Sequence, residues 1–257
     1  MLGLTLLAVA LGTLVGAAVS HGAEAIVAER RLGVPRCPYC QAPYALGQWS
    51  AIVAVLTGGV RCRQCRRPLR LPRLIGELYI AAGWGLAVGL YGLNLKVLLF
   101  LLALLPLGMV MVTDLMARRV PNTIVLPSIA GMLVLGSLLG PAVPALVASR
   151  WWVSLAGAAL GFLVLRAFVW LGETLFGEGA MGGGDVTLST YAGAALGFPL
   201  IVPALLIAVL LGGVGALAVL VARKGNLRTA IPYGPYIILG ATLTMLWGPA
   251  ILVWYFR

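Results

Sequence analysis

The chain contains seven acidic residues, and only two of them are aspartates, Asp114 and Asp185. Both border long apolar stretches, where an ionisable side chain is costly to desolvate and is a functional candidate for that reason. Two carboxylates held within a few Å of each other share one proton, because both cannot ionise cheaply at that distance. One can then activate a water molecule as a base while the other protonates a carbonyl oxygen as an acid. The pair therefore predicts the chemistry of an aspartic protease.

Glycines precede the second aspartate, in the string Gly182-Gly183-Gly184-Asp185. Gly182 and Gly184 are predicted to position the substrate, because glycine permits a tight backbone turn and the close approach of an extended peptide. Simpler interpretations stay open for both acids. Asp185 would cap the helix that it begins, and Asp114 would pair with Arg118, four residues further along the chain.

All four cysteines lie in one polar stretch, as the pairs Cys37–Cys40 and Cys62–Cys65. Two Cys-x-x-Cys pairs at this separation predict a zinc-ribbon-like site, in which each pair presents two thiolates from one turn. A closed site of four cysteines is normally structural, so we expect zinc to fold a small domain with little core of its own. Two disulfides, or cysteines without a ligand, are the alternatives. The net negative charge of four thiolates on zinc would be offset by Arg36, Arg61, Arg63, Arg66 and Arg67.

The composition determines which elements must position these residues. Hydrophobic residues make up 61% of the 257 residues and charged residues 10%, against about 45–50% and about 25% in soluble domains. A membrane-spanning helix takes about 20 apolar residues. We therefore predict an all-α polytopic membrane protein of about eight transmembrane helices. The apolar runs cover residues 2–20, 75–93, 97–113, 123–142, 151–172, 185–197, 199–222 and 231–255.

The basic residues predict the orientation of these helices. No Lys or Arg precedes the first run, so it is predicted to be an uncleaved helix with its N-terminus outside. Alternating spans then leave 14 basic residues on the inner side and three on the outer side, as the positive-inside rule requires. This orientation places the cysteine stretch and both aspartates at the cytoplasmic face. The net charge of +11 then indicates anionic lipid as a partner rather than nucleic acid.

Three domains follow from this pattern: a first transmembrane helix over residues 1–20, a cytoplasmic four-cysteine domain over 21–74, and a membrane aspartic peptidase domain over 75–257. A proton-coupled transporter that uses Asp114 and Asp185 as a relay is the alternative function. A zinc-dependent membrane scaffold is a third. The position of both acids at one face, rather than near the midplane, favours the peptidase. The single histidine, His21, follows the first apolar run and is predicted to be an interfacial residue.

Taken in order, these residues resemble the bacterial type IV prepilin peptidases, which are membrane aspartic proteases of the Gly-x-Gly-Asp kind. The resemblance begins with the first helix and the two cysteine pairs and extends over most of the chain. It continues through Glu77, which follows Leu71-Pro72, and through Asp114 with Val120-Pro121-Asn122. It then covers Glu178-Gly179-Ala180-Met181-Gly182-Gly183-Gly184-Asp185-Val186, and Ile231-Pro232-Tyr233-Gly234-Pro235-Tyr236, which is similar to the family's Pro-Phe-Gly-Pro segment.

The resemblance implies cleavage of the short basic leader of type IV prepilins and pseudopilins. The cut follows a glycine on the cytoplasmic side of the bacterial inner membrane, with Asp114 and Asp185 as the catalytic pair. Many members also methylate the new N-terminus with S-adenosylmethionine. Glu77 is the candidate contributor to that second activity, and a capping or ion-paired role is its alternative. The N-terminal segments of prepilins or pseudopilins are the implied partners.

Two departures from the family concern methylation and substrate docking more than proteolysis. The family usually carries a lysine two residues after the second aspartate, where this chain has Thr187. The family's Gly-Ser-Phe-Leu-Asn stretch in the first helix is replaced here by Gly16-Ala17-Ala18-Val19-Ser20.

Overall fold

The computed structural model describes residues 1–139, 150–176, 182–222 and 232–255. Within these residues the chain is helical and forms no β-strand, which confirms the all-α prediction. It divides into two compact units, Met1–Arg119 and Val120–Arg257. Asp114 and all four cysteines belong to the first unit, and Asp185 belongs to the second.

The first unit contains α1 (Leu2–Val27), the short α2 (Ala51–Leu56), α3 (Leu71–Tyr91) and α4 (Leu95–Ala117). Small residues line the face of α1 that packs on α3. A Cβ atom added at Gly12 would lie 2.9 Å from the Cα of Ala81, and one at Gly16 would lie 3.0 Å from the Cα of Glu77. Glycines four residues apart let two membrane helices bring their backbones into contact. This contact fixes the position of Glu77 beside α1.

The second unit contains α5 (Asn122–Leu139), α6 (Trp151–Phe176), α7 (Gly183–Leu196), α8 (Ile201–Ala222) and α9 (Gly234–Tyr255). The short helix α7 is the centre of this unit and packs against each of the other four helices. Ten of its 14 residues are buried. Its backbone touches that of α6, where a Cβ atom at Gly157 would collide with the carbonyl of Gly193 and the reverse substitution would collide equally.

The observed helices follow the predicted apolar runs with small changes at their ends. Helix α1 continues to Val27, seven residues beyond the predicted end at Ser20. The two added turns bury Ala23, Glu24 and Ala25, so packing extends the helix into the polar stretch. Helix α7 is about 21 Å long at 1.5 Å per residue, which is shorter than a hydrocarbon core of about 30 Å.

Five of the described helices are long and apolar enough to cross a membrane: α1, α3, α4, α6 and α8. The predicted count of eight transmembrane helices therefore stays a prediction. Several residues used in the sequence argument lie outside the described part of the chain: Glu178, Gly179, Ala180, Met181, Arg223, Lys224, Arg228, Ile231 and Arg257.

Candidate functional site

The four cysteines come together in the first unit, as their spacing predicts. Their sulfur atoms all lie within 4.8 Å of one another. The Sγ atoms of Cys37 and Cys65 are 3.6 Å apart, and those of Cys40 and Cys62 are 3.7 Å apart. A disulfide requires about 2.05 Å, and all four thiols are free. Zinc–sulfur bonds of about 2.3 Å in a tetrahedron place the sulfurs about 3.8 Å apart, so this set of donors fits a zinc ion.

The two cysteine pairs are held by the same local fold, used twice. In the first, the amide of Cys37 donates to the carbonyl of Ala42, and Arg36 forms a β-bridge with Pro43. In the second, the amide of Cys62 donates to the carbonyl of Arg67, and Arg61 forms a β-bridge with Pro68. The residue after each cysteine pair has a left-handed backbone conformation, with φ of 59° at Gln41 and 57° at Arg66. Residues 35–44 and 60–69 are thus two copies of one turn, a repeat that the sequence analysis missed.

The cysteine turns also shift the pKa values of the thiols. Backbone N–H groups of Cys65 and Gln64 lower the pKa of Cys62 to about 6. Burial raises the pKa of Cys37, but hydrogen bonds led by the backbone N–H groups of Cys40 and Tyr39 outweigh it and lower the pKa overall. The backbone N–H of Arg67 lowers the pKa of Cys65, but burial and the three neighbouring thiols raise it to about 11. Hydrogen bonds from the turns therefore favour the thiolate form at Cys37 and Cys62, the form in which cysteine binds a metal.

The cysteine turns have little apolar core besides the cysteines. Cys37, Tyr44 and Cys62 are buried together, and Leu69 packs against them. Outside this core the arginines are exposed, and Arg67 stacks 4.8 Å from the ring centre of Tyr39. A cluster this small cannot bury enough apolar surface to fold by itself, which agrees with a structural role for the metal.

Glu77 of α3 is completely buried and joins α3 to the polar stretch. Its carboxylate accepts the Ser50 hydroxyl at 2.7 Å and the backbone N–H groups of Ala51 and Ile52 at 2.9 and 3.1 Å. Arg73, one turn earlier in α3, donates to the same carboxylate at 3.3 Å. Glu77 therefore caps the start of α2 and pairs with a buried arginine. This is the capping, ion-paired alternative, and a role for Glu77 in methyl transfer stays a prediction.

Arg73 is 1% exposed and extends this polar network. Besides Glu77, it donates to the backbone carbonyl of Trp49 and lies 5.5 Å from the ring centre of Tyr44. Burial raises the pKa of Tyr44 above its usual range, and the nearby charges of Cys37 and Glu24 raise it further. Side chains from α1, α3 and the cysteine turns thus meet around one buried arginine.

Asp114 lies in the last turn of α4 and is 5% exposed. The helix ends four residues later, where Arg118 adopts a left-handed conformation with φ of 53° and its amide donates to the Asp114 carbonyl. Arg119 turns instead towards Glu29, at 3.6 Å on the exposed surface. The carboxylate is therefore placed at a helix terminus, where the chain leaves the apolar part of α4.

Asp185 lies in the first turn of α7 and is 9% exposed. The N-terminus of a helix favours a carboxylate through its unpaired N–H groups and its dipole. Gly184 is required by packing, since a Cβ atom there would lie 2.8 Å from the Val120 side chain. Gly182 has φ of −76°, which any residue can adopt, so its own backbone conformation does not require glycine. A Cβ atom at Gly182 would lie 3.9 Å from the Asp185 carboxylate, so this glycine lies directly beside the acid.

Each aspartate is thus buried at the end of a helix within its own unit. Their predicted pairing, and the positioning of substrate by Gly182 and Gly184, stay predictions. Thr187, at the position of the family's lysine, is half-buried in α7. Gly16 in the altered first-helix stretch packs against the backbone of Glu77, a contact that a larger side chain would disrupt.

Comparison with known proteins identifies a family and relatives whose matched regions include these residues. The type IV leader peptidase family matches residues 97–217, a range that includes Asp114 and Asp185 and excludes the cysteine turns. A prepilin leader peptidase/N-methyltransferase of Aeromonas hydrophila is 30% identical over 241 residues, covering 87% of this chain and 76% of the relative. The proteins of the same name from Bacillus subtilis (strain 168) and Legionella pneumophila are 28% and 30% identical, over 86% and 87% of this chain and 84% and 76% of their own lengths.

No solved structure matches the chain, so the family rests on sequence. The relatives cover the cysteine turns as well as the two aspartates, and the comparisons do not support a transporter. With buried aspartates at two helix ends, four clustered thiols and this extent of identity, the chain belongs to the prepilin leader peptidase/N-methyltransferase family.

Proposed function

We propose that this protein cleaves the basic leader of type IV prepilins or pseudopilins after a glycine, using Asp114 and Asp185. The observation that carries the proposal is the placement of the only two aspartates. Both are buried at helix ends and both fall within the region that matches the leader peptidase family. A carboxylate in such a position has to serve chemistry or find compensation, because its desolvation is costly.

The two carboxylates act as a dyad that shares one proton. The ionised carboxylate removes a proton from water, and the water oxygen attacks the carbonyl carbon of the leader's last residue, the glycine. The protonated carboxylate gives its proton to the carbonyl oxygen, and the resulting tetrahedral intermediate breaks at the C–N bond. The carboxyl group that took the proton from water passes it to the peptide nitrogen, which leaves as the new N-terminal amine. One hydroxyl of the intermediate returns its proton to the other carboxylate. Gly182 leaves room for the extended peptide beside Asp185.

The relatives' names support a second step, methylation of that amine. S-adenosylmethionine supplies the methyl group in this step. In our proposal Glu77 supports methylation structurally rather than by reacting, because four hydrogen-bond partners already occupy both of its carboxylate oxygens. It fixes the cysteine turns and α2 against α3 and so shapes the first unit.

The protein lies in the bacterial inner membrane in this proposal, with the cysteine turns and both aspartates on the cytoplasmic side. The positive-inside distribution supports this orientation. Zinc is the proposed occupant of the four-cysteine site, since the cytosol keeps thiols reduced and the sulfur spacing fits a tetrahedral ion. The exposed arginines of the cysteine turns, among them Arg36, Arg61 and Arg66, suit the headgroups of anionic lipids.

The test is a cleavage reaction with purified enzyme in lipid vesicles and a prepilin substrate, followed by intact-mass spectrometry with and without S-adenosylmethionine. We expect loss of the leader mass in both reactions and a gain of one methyl group only with the donor. An unchanged substrate mass would contradict the proposal, and a proton-flux measurement on the same vesicles would then test the transporter.

A further inference from the structure

A cavity of about 610 Å³ opens beside the second half of α1 in the first unit, and its lining is almost wholly apolar. Three stretches of the chain form its walls: α1, the loop that follows α1, and the segment before and within α2. Six apolar wall residues are themselves exposed: Leu14, Ala18, Val34, Leu46, Trp49 and Val53. Leu46, in the polar stretch, is 79% exposed. A contiguous apolar surface of this kind marks an interaction site rather than an ordinary water-facing surface.

A hydrogen bond of His21 places this cavity at the end of the apolar part of α1. The predicted apolar run ends at Ser20, and the helix continues about 9 Å beyond His21 to Val27, at 1.5 Å per residue. The loop then returns along the helix, because Nε2 of His21 lies 2.6 Å from the backbone carbonyl of Gly33 and donates to it. Residues 33–35 all line the cavity. The cavity therefore lies where α1 leaves its apolar run, at the predicted membrane interface.

Two exposed arginines flank the returning loop. Arg31 precedes the wall residues 33–35 by two positions, and Arg36 follows them directly. Neither forms an ion pair with the described residues, and Arg36 uses one of its five N–H groups to bond the Gln41 carbonyl at 3.2 Å. Trp49 adds an exposed indole to the cavity wall, and tryptophan is enriched at the headgroup level of membranes. Positive charge, an aromatic ring and an apolar cavity thus meet at one place.

We propose that the cavity binds an acyl chain of an anionic phospholipid, whose headgroup lies against Arg31 and Arg36. The inference rests on the cytoplasmic orientation proposed above, because the cytoplasmic leaflet presents a negative surface potential. The apolar wall takes the place of neighbouring lipid tails around the chain, and the two guanidinium groups meet the phosphate. The bound lipid fills the space between α1 and the segment that carries the cysteine turns, and so holds that segment against the membrane surface.

Charge distinguishes a lipid from the other candidate occupants. The leader of the proposed substrate is basic, so the two arginines repel it, as like charges do across any interface. The apolar segment of the substrate would suit the wall but would leave both arginines without an anion. A free phosphate ion would suit the arginines but would gain nothing from the wall. An anionic phospholipid satisfies both features with one molecule.

Lipid binding by the full chain can be measured by native mass spectrometry from a nonionic detergent, with phosphatidylglycerol as the anionic probe and phosphatidylcholine as the neutral one. We expect one phosphatidylglycerol to bind about tenfold or more tightly than phosphatidylcholine. Each basic residue beside an anionic headgroup contributes about fivefold, so Arg31→Gln combined with Arg36→Gln should weaken phosphatidylglycerol binding about 25-fold. Binding of phosphatidylcholine should not change. The control, Lys96→Gln combined with Arg150→Gln, removes two basic residues outside this cavity and should bind as wild type.

A second variant tests the apolar half of the site. Ala18 is exposed and lines the cavity, so the ring of Ala18→Phe fills the space without entering the packing of α1 on α3. Both lipids should bind about tenfold more weakly or worse, since displacing only a few methylene groups from an apolar wall has an effect of this size. Ala10→Phe places the same ring on an exposed position of α1 outside the cavity and should bind as wild type. Equal binding by these two variants would overturn the inference.

Photo-crosslinking locates the lipid in a bilayer. The probe is phosphatidylglycerol with a diazirine in one acyl chain, in vesicles of phosphatidylcholine, and mass spectrometry identifies the labelled peptides. We expect label at residues 46–53, which excess unlabelled phosphatidylglycerol removes and Ala18→Phe lowers. Label on the first half of α1, whose leucines are exposed, should stay constant as the internal control. No label at residues 46–53 would overturn the inference. Labelling of these residues by a prepilin with the diazirine in its apolar segment, in place of the lipid, would overturn it as well.

These measurements need neither cleavage nor methylation, so they separate this inference from the proposed function. An enzyme that cleaves its prepilin but binds both lipids with equal affinity would contradict this inference alone. An enzyme that binds phosphatidylglycerol through Arg31 and Arg36 but leaves the prepilin intact would support this inference and contradict the proposed function.

Discussion

The Ser50 hydroxyl donates a 2.7 Å hydrogen bond to the Glu77 carboxylate, and this bond connects the segment between the two cysteine turns to α3, a helix long and apolar enough to cross a membrane. The two residues are 27 positions apart. Their contact completes a network in which Glu77 also holds Arg73, and Arg73 reaches the carbonyl of Trp49. The small four-cysteine region is thus attached to α3 by buried, charge-assisted hydrogen bonds.

Removing this attachment should destabilise the first unit. Glu77→Ala leaves the buried Arg73 without its carboxylate, and breaking one half of a buried ion pair costs about 3–5 kcal/mol. Thermal unfolding in detergent should therefore shift to a markedly lower temperature. The control is Glu173→Gln, which removes a partly exposed pair with Arg166 at 3.9 Å and should cost under about 1 kcal/mol. Equal stability of the two variants would contradict the role of the network.

The four-cysteine site should contain one zinc ion in each chain. Elemental analysis of purified protein should show stoichiometric zinc, and Cys37→Ser or Cys62→Ser should abolish it, because each variant removes one of four ligands. Gln41→Gly is the matched control, since it lies beside the site in a left-handed conformation that glycine adopts freely. Wild-type protein without zinc, or with two disulfides by thiol titration, would contradict this prediction.

Two adjacent glycines should differ sharply in their tolerance of a methyl group. A Cβ atom at Gly184 would lie 2.8 Å from Val120, whereas none of the described atoms lies within 4 Å of one at Gly183. Overpacking costs about 1–3 kcal/mol, so Gly184→Ala should displace the start of α7 and reduce leader cleavage. Gly183→Ala should cleave at the wild-type rate. Equal rates of leader cleavage by Gly184→Ala and Gly183→Ala would contradict this prediction.

The contact between α6 and α7 should depend on Gly157. Because a Cβ atom there collides with the backbone of α7, Gly157→Ala should lower the unfolding temperature in detergent. Gly213 of α8 has open space around it and is exposed, so Gly213→Ala should leave that temperature unchanged. A similar loss in both variants would indicate a general effect of replacing glycine rather than this contact.

Most helix positions could be predicted from the sequence because they depend on local apolar runs. The four-cysteine cluster could also be predicted, since the spacing of Cys37, Cys40, Cys62 and Cys65 contains the geometry of the turns. The extension of α1 to Val27 could not, because it depends on packing that buries Glu24. The bond between Ser50 and Glu77 is a long-range contact and leaves no local pattern. The repeat of residues 35–44 and 60–69 is visible mainly in hydrogen bonds, because only the cysteines and a few neighbours are shared.

The central claim is that Asp114 and Asp185 together hydrolyse the leader peptide. The most direct measurement is the rate of prepilin cleavage by Asp114→Asn and Asp185→Asn in lipid vesicles, followed by mass spectrometry. Asparagine keeps the size of the side chain and removes its ability to exchange a proton. Each variant should therefore fold, retain zinc and lose cleavage by about 10²–10⁴-fold, as expected when a proton-transfer group is removed. Glu29→Gln, which changes an exposed acid of the first unit, should cleave normally. Cleavage at the wild-type rate by either aspartate variant would contradict the account.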